Sequence, residues 1–225
     1  PQDDLSRHVV SHLDSRAKGR LAQTCTGVNS ILKSIKPDVY LDKPLTLKWL
    51  KTLARKWTIK GVVCKGNRWT KLDAVVTACP YLEKLELVGC DHITSVASLP
   101  SSLTHLVVSD CVRISSVASL PSSLTSLVLR GCSDITSVDS LPSSLTRLEL
   151  RGCVCIPSVA SLPSSLTHLE LRGCGHITSV DSLPNSLTRL ELRGCGHITS
   201  VASLPNSLTH LVVSDCVRIS SVASL

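Results

Sequence analysis

Eleven cysteines in a 225-residue chain are the first place to look for chemistry, because thiols pair as disulfides, ligate zinc or act as nucleophiles. Seven of them, Cys90, Cys111, Cys132, Cys153, Cys174, Cys195 and Cys216, recur at a constant spacing of twenty-one. A ladder with one period is neither a disulfide framework nor a ligand set. A thiol at such a repeated position is expected to be buried, as a small apolar group with a weak donor for the turn backbone. Cys25, Cys64, Cys79 and Cys155 show no paired spacing, and an odd total fits a reducing compartment. Cys153-Val154-Cys155 lacks further ligands, although His176 stands at the position equivalent to Cys155 in the next unit, so no metal is expected there. His92, His176 and His197 also share one repeat position. No Ser, Cys or carboxylate stands in a nucleophile, base and orienter order that the repeat does not already explain, and there is no phosphate-binding glycine loop. A non-enzymatic chain without a cofactor is the expectation.

The elements that would position these groups follow from the same period. Pro100, Pro121, Pro142, Pro163, Pro184 and Pro205 share it, and seven units align as L-x-x-L-x-L-x-x-C-x-x-I-x-S-V-x-S-L-P from Leu82 to Leu208. The last unit is cut short at Leu225, so more of the array is expected beyond it. In the L-x-L step, as at Leu148 and Leu150, alternation sends two side chains to one face of a short strand. A unit of this size cannot bury them alone, so units must stack as parallel strands, with Ile156, Val159 and Leu162 closing the core on the return path. The chain is 43% hydrophobic yet has three Trp, two Tyr, no Phe and no Met. That fits a slot in which each side chain packs against its own copy. Leu-Pro steps favour an extended turn and disfavour a long helix, so the convex side should be irregular or 3₁₀.

Residues alternating with the core leucines then face the concave side, and three columns cross the units. The first is Lys84, His105, Ser126, Arg147, His168, Arg189 and His210. The second is Glu86, Val107, Val128, Glu149, Glu170, Glu191 and Val212. The third is Val88, Ser109, Arg130, Arg151, Arg172, Arg193 and Ser214. Stacked Glu149, Glu170 and Glu191 would repel one another unless the arginines neutralise them. With Val107, Val128 and Val212 as apolar shoulders, the face reads either as a solvated charge lattice or as a surface that recognises a partner by charge pattern.

The pattern resembles the leucine-rich repeat family in a short form, with Cys where the commonest version has Asn. The wording Leu-Pro-Ser-Ser-Leu-Thr-His-Leu at 99–106 and 162–169 is also similar to FNIP repeats. The resemblance implies an α/β leucine-rich-repeat solenoid over 81–225, with short parallel strands on its concave face.

Residues 1–80 carry a net charge of +9 and residues 81–225 a net charge of −2, so a basic, unrepetitive segment precedes the array. Leu5, Val9 and Leu13 fall at helical spacing after Asp3 and Asp4, and Leu21, Ala22 and Cys25 continue into a second helix. Asp4-Leu5, Val9, Ser11-His12-Leu13, Leu21 to Cys25, Val28, Ile31 and Tyr40-Leu41 resemble an F-box, with Lys18-Gly19 and Val28 departing from the usual Leu and Trp. The resemblance implies a small helical head at 1–42, in which Leu5, Val9, Leu13 and Leu21 dock the acidic adaptor of a cullin-RING ubiquitin ligase while the array presents a substrate protein. The alternative is a free-standing recognition or scaffold solenoid with a helical cap. Residues 43–80 read as a transition segment of degenerate first repeats, with a helix near Leu47 to Ala54, a strand near Ile59 to Val63 and a helix before Cys79. Trp49, Trp57 and Trp69 read as buried, which argues against nucleic acid at the lysine-rich stretch. A membrane-spanning helix needs an apolar run of roughly 18 residues, and the sequence has none; it also shows no secretory leader. The expectation is an intracellular monomer, cytoplasmic or nuclear, without a membrane span.

Overall fold

The computed structural model describes residues 38–40, 47–55, 58–67, 69–70 and 72–221. The adaptor-docking residues Leu5, Val9, Leu13 and Leu21, with the rest of the proposed head up to residue 37, lie outside the described residues. So do the side chains of Trp49 and Trp57.

Among the described residues nine strands form one sheet in sequence order: β1 Asp38–Tyr40, β2 Thr58–Lys65, β3 Lys84–Val88, β4 His105–Ser109, β5 Ser126–Arg130, β6 Arg147–Arg151, β7 His168–Arg172, β8 Arg189–Arg193 and β9 His210–Ser214. All neighbours are parallel. From β3 onward the register steps by one whole unit, as in Arg147↔His168 and His168↔Arg189, so equivalent residues stand side by side about 4.8 Å apart. Among the described residues two helices, α1 Leu47–Ala54 and α2 Asp73–Ala78, flank β2 in the chain and occupy the stretches of 43–80 read as helical. Leu50, Leu53, Leu72, Val75 and Trp69 are buried there, and β2 joins β3 directly, so the basic segment continues the sheet. Among the described residues no helix is long and apolar enough to cross a membrane.

A single apolar core runs from Leu50 to Val201. Each turn contributes the same set: in one unit Leu145, Leu148, Leu150, Cys153, Ile156, Val159 and Leu162 are all buried. Covering a leucine contributes roughly 2 kcal/mol relative to leaving it in water, and here the cover is the equivalent residue of the next turn. After each strand from β2 onward the chain turns through a left-handed residue, a glycine in most cases but Asp110 (φ 54°) after β4 and Asp215 (φ 55°) after β9. From β3 onward the described return segments are turns and irregular backbone, with no helix and no 3₁₀ stretch. Proline opens a tight turn there, with the Leu145 N–H donating to the Pro142 carbonyl at 3.0 Å.

Polar ladders hold the turns to one another. Ser123, Ser144, Ser165 and Ser186 each donate from Oγ to a leucine carbonyl of the preceding turn at 2.6 to 2.7 Å. Thr125, Thr146, Thr167 and Thr188 donate from Oγ1 to the preceding turn's threonine carbonyl at 3.0 to 3.1 Å. The cysteine ladder is a third such row: Cys174 Sγ donates to the Leu150 carbonyl at 3.4 Å and Cys195 Sγ to the Leu171 carbonyl at 3.5 Å. All described cysteines are free. One hydroxyl in such a row should be worth about 1 kcal/mol. Ser144→Ala is therefore expected to lower the unfolding free energy read from urea curves by that amount, whereas Ser143→Ala, at an exposed neighbouring position, leaves it unchanged.

Candidate recognition face

The three columns do lie side by side on one face of β3 to β9, as the strand alternation requires. Their middle is more enclosed than a solvated lattice. Glu149 is only 5% exposed and Val128 only 7%. Val128 sits between Val107 and Glu149 in the register, and Arg130 extends from the same strand towards Glu149, so this residue is not available as an apolar shoulder. Val107 and Val212 are half-buried.

The stacked glutamates are neutralised from both flanking columns. Arg147 donates to Glu149 Oε1 from Nη2 at 2.5 Å and from Nε at 3.0 Å. Arg151 Nη2 lies 2.8 Å from Glu149 Oε2, and Arg130 Nη2 lies 3.8 Å from it. Neither contact is aligned as a hydrogen bond, so buried Oε2 is held by charge alone. Arg151 also donates to Glu170 Oε2 at 3.1 Å. Glu191 accepts from Arg189 at 2.5 Å and from Arg193 at 3.0 Å, and these hydrogen bonds, with Arg189 foremost, hold its carboxyl below the ordinary range. Arg172 is exposed, and among the described residues no carboxylate comes within 4.0 Å of it.

The histidines of the first column are set by a residue that the column pattern does not single out. Thr167 Oγ1 gives its proton to the Thr146 carbonyl, so its contact with His168 Nδ1 at 3.0 Å makes Nδ1 the donor and leaves Nε2 as the free acceptor. Thr104 and His105 repeat this arrangement at 2.8 Å. Burial, then Arg147, Arg189 and His210, push the His168 pKa below its usual value. Burial and Lys84 do the same for His105. Both imidazoles thus take up a second proton less readily than a free histidine. The signal in the sequence is a threonine immediately before each of these histidines. A shallow depression lies over β6 to β8, lined by Arg147, Glu149, His168, Glu170, Arg189 and Glu191. It suits side chains of an extended partner better than an enclosed small molecule.

This geometry defines a repeat solenoid: a parallel-strand β-solenoid of about seven turns. The FNIP Repeat family matches the chain at residues 113–153, 134–174 and 158–195. Among solved structures, the leucine-rich repeat-containing protein LegL7 from Legionella pneumophila is similar in fold. It has a TM-score of 0.51 and 18% identity, over 82% of this chain and 85% of that one. The leucine-rich repeat domain of the type III effector XCV3220 (XopL) aligns with a TM-score of 0.41 and 18% identity, over 88% of this chain and 81% of that one. No curated protein matches the sequence.

Proposed function

We propose that the chain is a non-enzymatic protein-interaction module whose concave face binds a protein partner, and that it serves as the substrate-recognition subunit of a cullin-RING ubiquitin ligase. The observation that carries the first half is the in-register sheet. It holds outward side chains of seven successive strands at fixed spacing on one face, so a partner meets a preorganised surface and little ordering is lost on binding. Support for the ligase half comes from the F-box-like wording of residues 4–41, with Leu5, Val9, Leu13 and Leu21 as the adaptor-docking set. The charge of +9 on residues 1–80 is complementary to an acidic adaptor. The reading implies an intracellular location, where eleven thiols stay reduced.

One observation favours a second reading. β2, α1 and α2 extend the sheet at its N-terminal end, as a solenoid cap does, and on this reading the segment before them belongs to that cap. A pull-down separates the two. The acidic adaptor should be captured by the unchanged chain and released by Leu5→Asp combined with Leu13→Asp. Failure of the unchanged chain to capture it removes the ligase reading and leaves the cap.

A further inference from the structure

We infer that the concave face over β5 to β8 recognises a run of acidic side chains in an extended peptide segment of its partner, with Arg172 as the central reader of a carboxylate. The inference rests on the interaction-module reading above and specifies the partner's chemistry.

Charge carries the argument. These four strands present six arginines, Arg130, Arg147, Arg151, Arg172, Arg189 and Arg193, against three glutamates on the same face. The glutamates are all in the middle column and are engaged by five of the six arginines. Each guanidinium has five N–H donors, and these contacts use only some of them. Arg172 stands between Arg151 and Arg193 in the register, exposed and with no carboxylate in reach among the described residues. The cluster therefore keeps a surplus of positive charge, arranged by rigid strands and centred on a guanidinium that is free to form a bidentate pair.

Geometry selects the kind of anion. Four strands at about 4.8 Å spacing span roughly 14 Å along the solenoid axis. An extended peptide places every second side chain on one side, roughly 7 Å apart, so two or three acidic residues would fall over the arginine column. Single-stranded nucleic acid is disfavoured. Over these strands the columns offer a base no Phe, Tyr or Trp and a single imidazole, His168, to stack on, and the central glutamates would oppose a phosphate backbone. The shallowness of the depression argues against a small enclosed anion.

The test uses the full chain and fluorescein-labelled decapeptides in four sets, acidic, basic, neutral polar and apolar, with an oligothymidine of matched charge, all read by anisotropy. The acidic set is expected to bind, and to weaken as salt rises from about 50 to about 300 mM. Arg172→Glu should weaken it at least tenfold, and Arg172→Gln by a smaller factor. Both variants should melt like the unchanged chain, because Arg172 supports no ion pair within the described fold. Arg113→Glu, an exposed charge on a turn outside the three columns, should leave binding unchanged. Loss on Arg113→Glu equal to that on Arg172→Glu, or oligothymidine binding as tight as the acidic peptides, overturns the inference. Binding of only the basic, neutral or apolar sets also overturns it while leaving the interaction module standing. Binding of no peptide at all removes both.

Discussion

Between pH 8 and pH 10 three buried thiols alone are expected to withdraw about 4 kcal/mol of stability from this fold. Burial foremost pushes Cys64, Cys79 and Cys132 from 9.0 up to about 12. The sign follows from where each proton resides. Below pH 9 folded and unfolded chains both hold it, and the contribution is intact. Above pH 9 the unfolded chain releases it while the folded chain retains it until about pH 12, so unfolding gains roughly 1 to 2 kcal/mol per thiol by pH 10. Cys153 is shifted upward by burial too. In the Cys90 and Cys111 pair, and in the Cys174 and Cys195 pair, neighbouring thiols shift each other in opposite directions, up for Cys90 and Cys174 and down for Cys111 and Cys195, so the clean measurement is a difference. Unfolding free energies from urea curves taken under reducing conditions across this range should fall less steeply for Cys132→Ala than for the unchanged chain, by roughly 1 to 2 kcal/mol at pH 10. Parallel curves would show that the ladder thiols ionise as freely in the fold as out of it.

The second large effect depends on position along the array. Leu148 and Leu211 occupy the same slot in different units, yet Leu148 is fully buried and Leu211 only partly. Leu148 lies between Leu127 and Leu169 in the register, whereas Leu211 has Leu190 on one side and no described strand on the other. Truncating a leucine packed from both sides leaves a cavity that neighbours held by three ladders cannot fill. Leu148→Ala should then cost about 4 kcal/mol and Leu211→Ala about 1 kcal/mol. Chemical denaturation of the two variants measures this directly. Equal losses would mean that stability is not passed from turn to turn by nearest-neighbour packing.

Much of this architecture is legible without coordinates. The fixed period, the L-x-L step and the recurrent cysteine determine the strand, the core and the buried thiol row, because all three depend on which residues are apolar and how far apart they lie. The serine and threonine ladders are not legible in that way. A hydroxyl in a turn can bond within its own turn or to the turn before, and only the small rise between stacked turns decides for the latter, as it does for Ser144 and the Leu124 carbonyl. The three columns are legible, but the pairing within them is not. Arg151, Arg172 and Arg193 are identical by position, and the difference among them lies in which glutamate each side chain reaches. Val128 reads from the sequence as open apolar surface. Its enclosure depends on long neighbouring side chains drawn towards Glu149, which spacing alone does not reveal.

The one-unit register has a further consequence for heredity. Thr125 offers its carbonyl to Thr146, but any unit from Leu103 onward would present the same hydroxyl at the same place. Among those units, excising or inserting a whole number leaves the backbone and hydroxyl ladders intact across each seam, whereas any other length puts them out of step. The stretches 99–120 and 204–225 differ only at Ser101 and Asn206, the kind of near-copy between which coding sequences recombine unequally. Such an array lengthens or shortens its reach in fixed steps, without inventing a new fold each time.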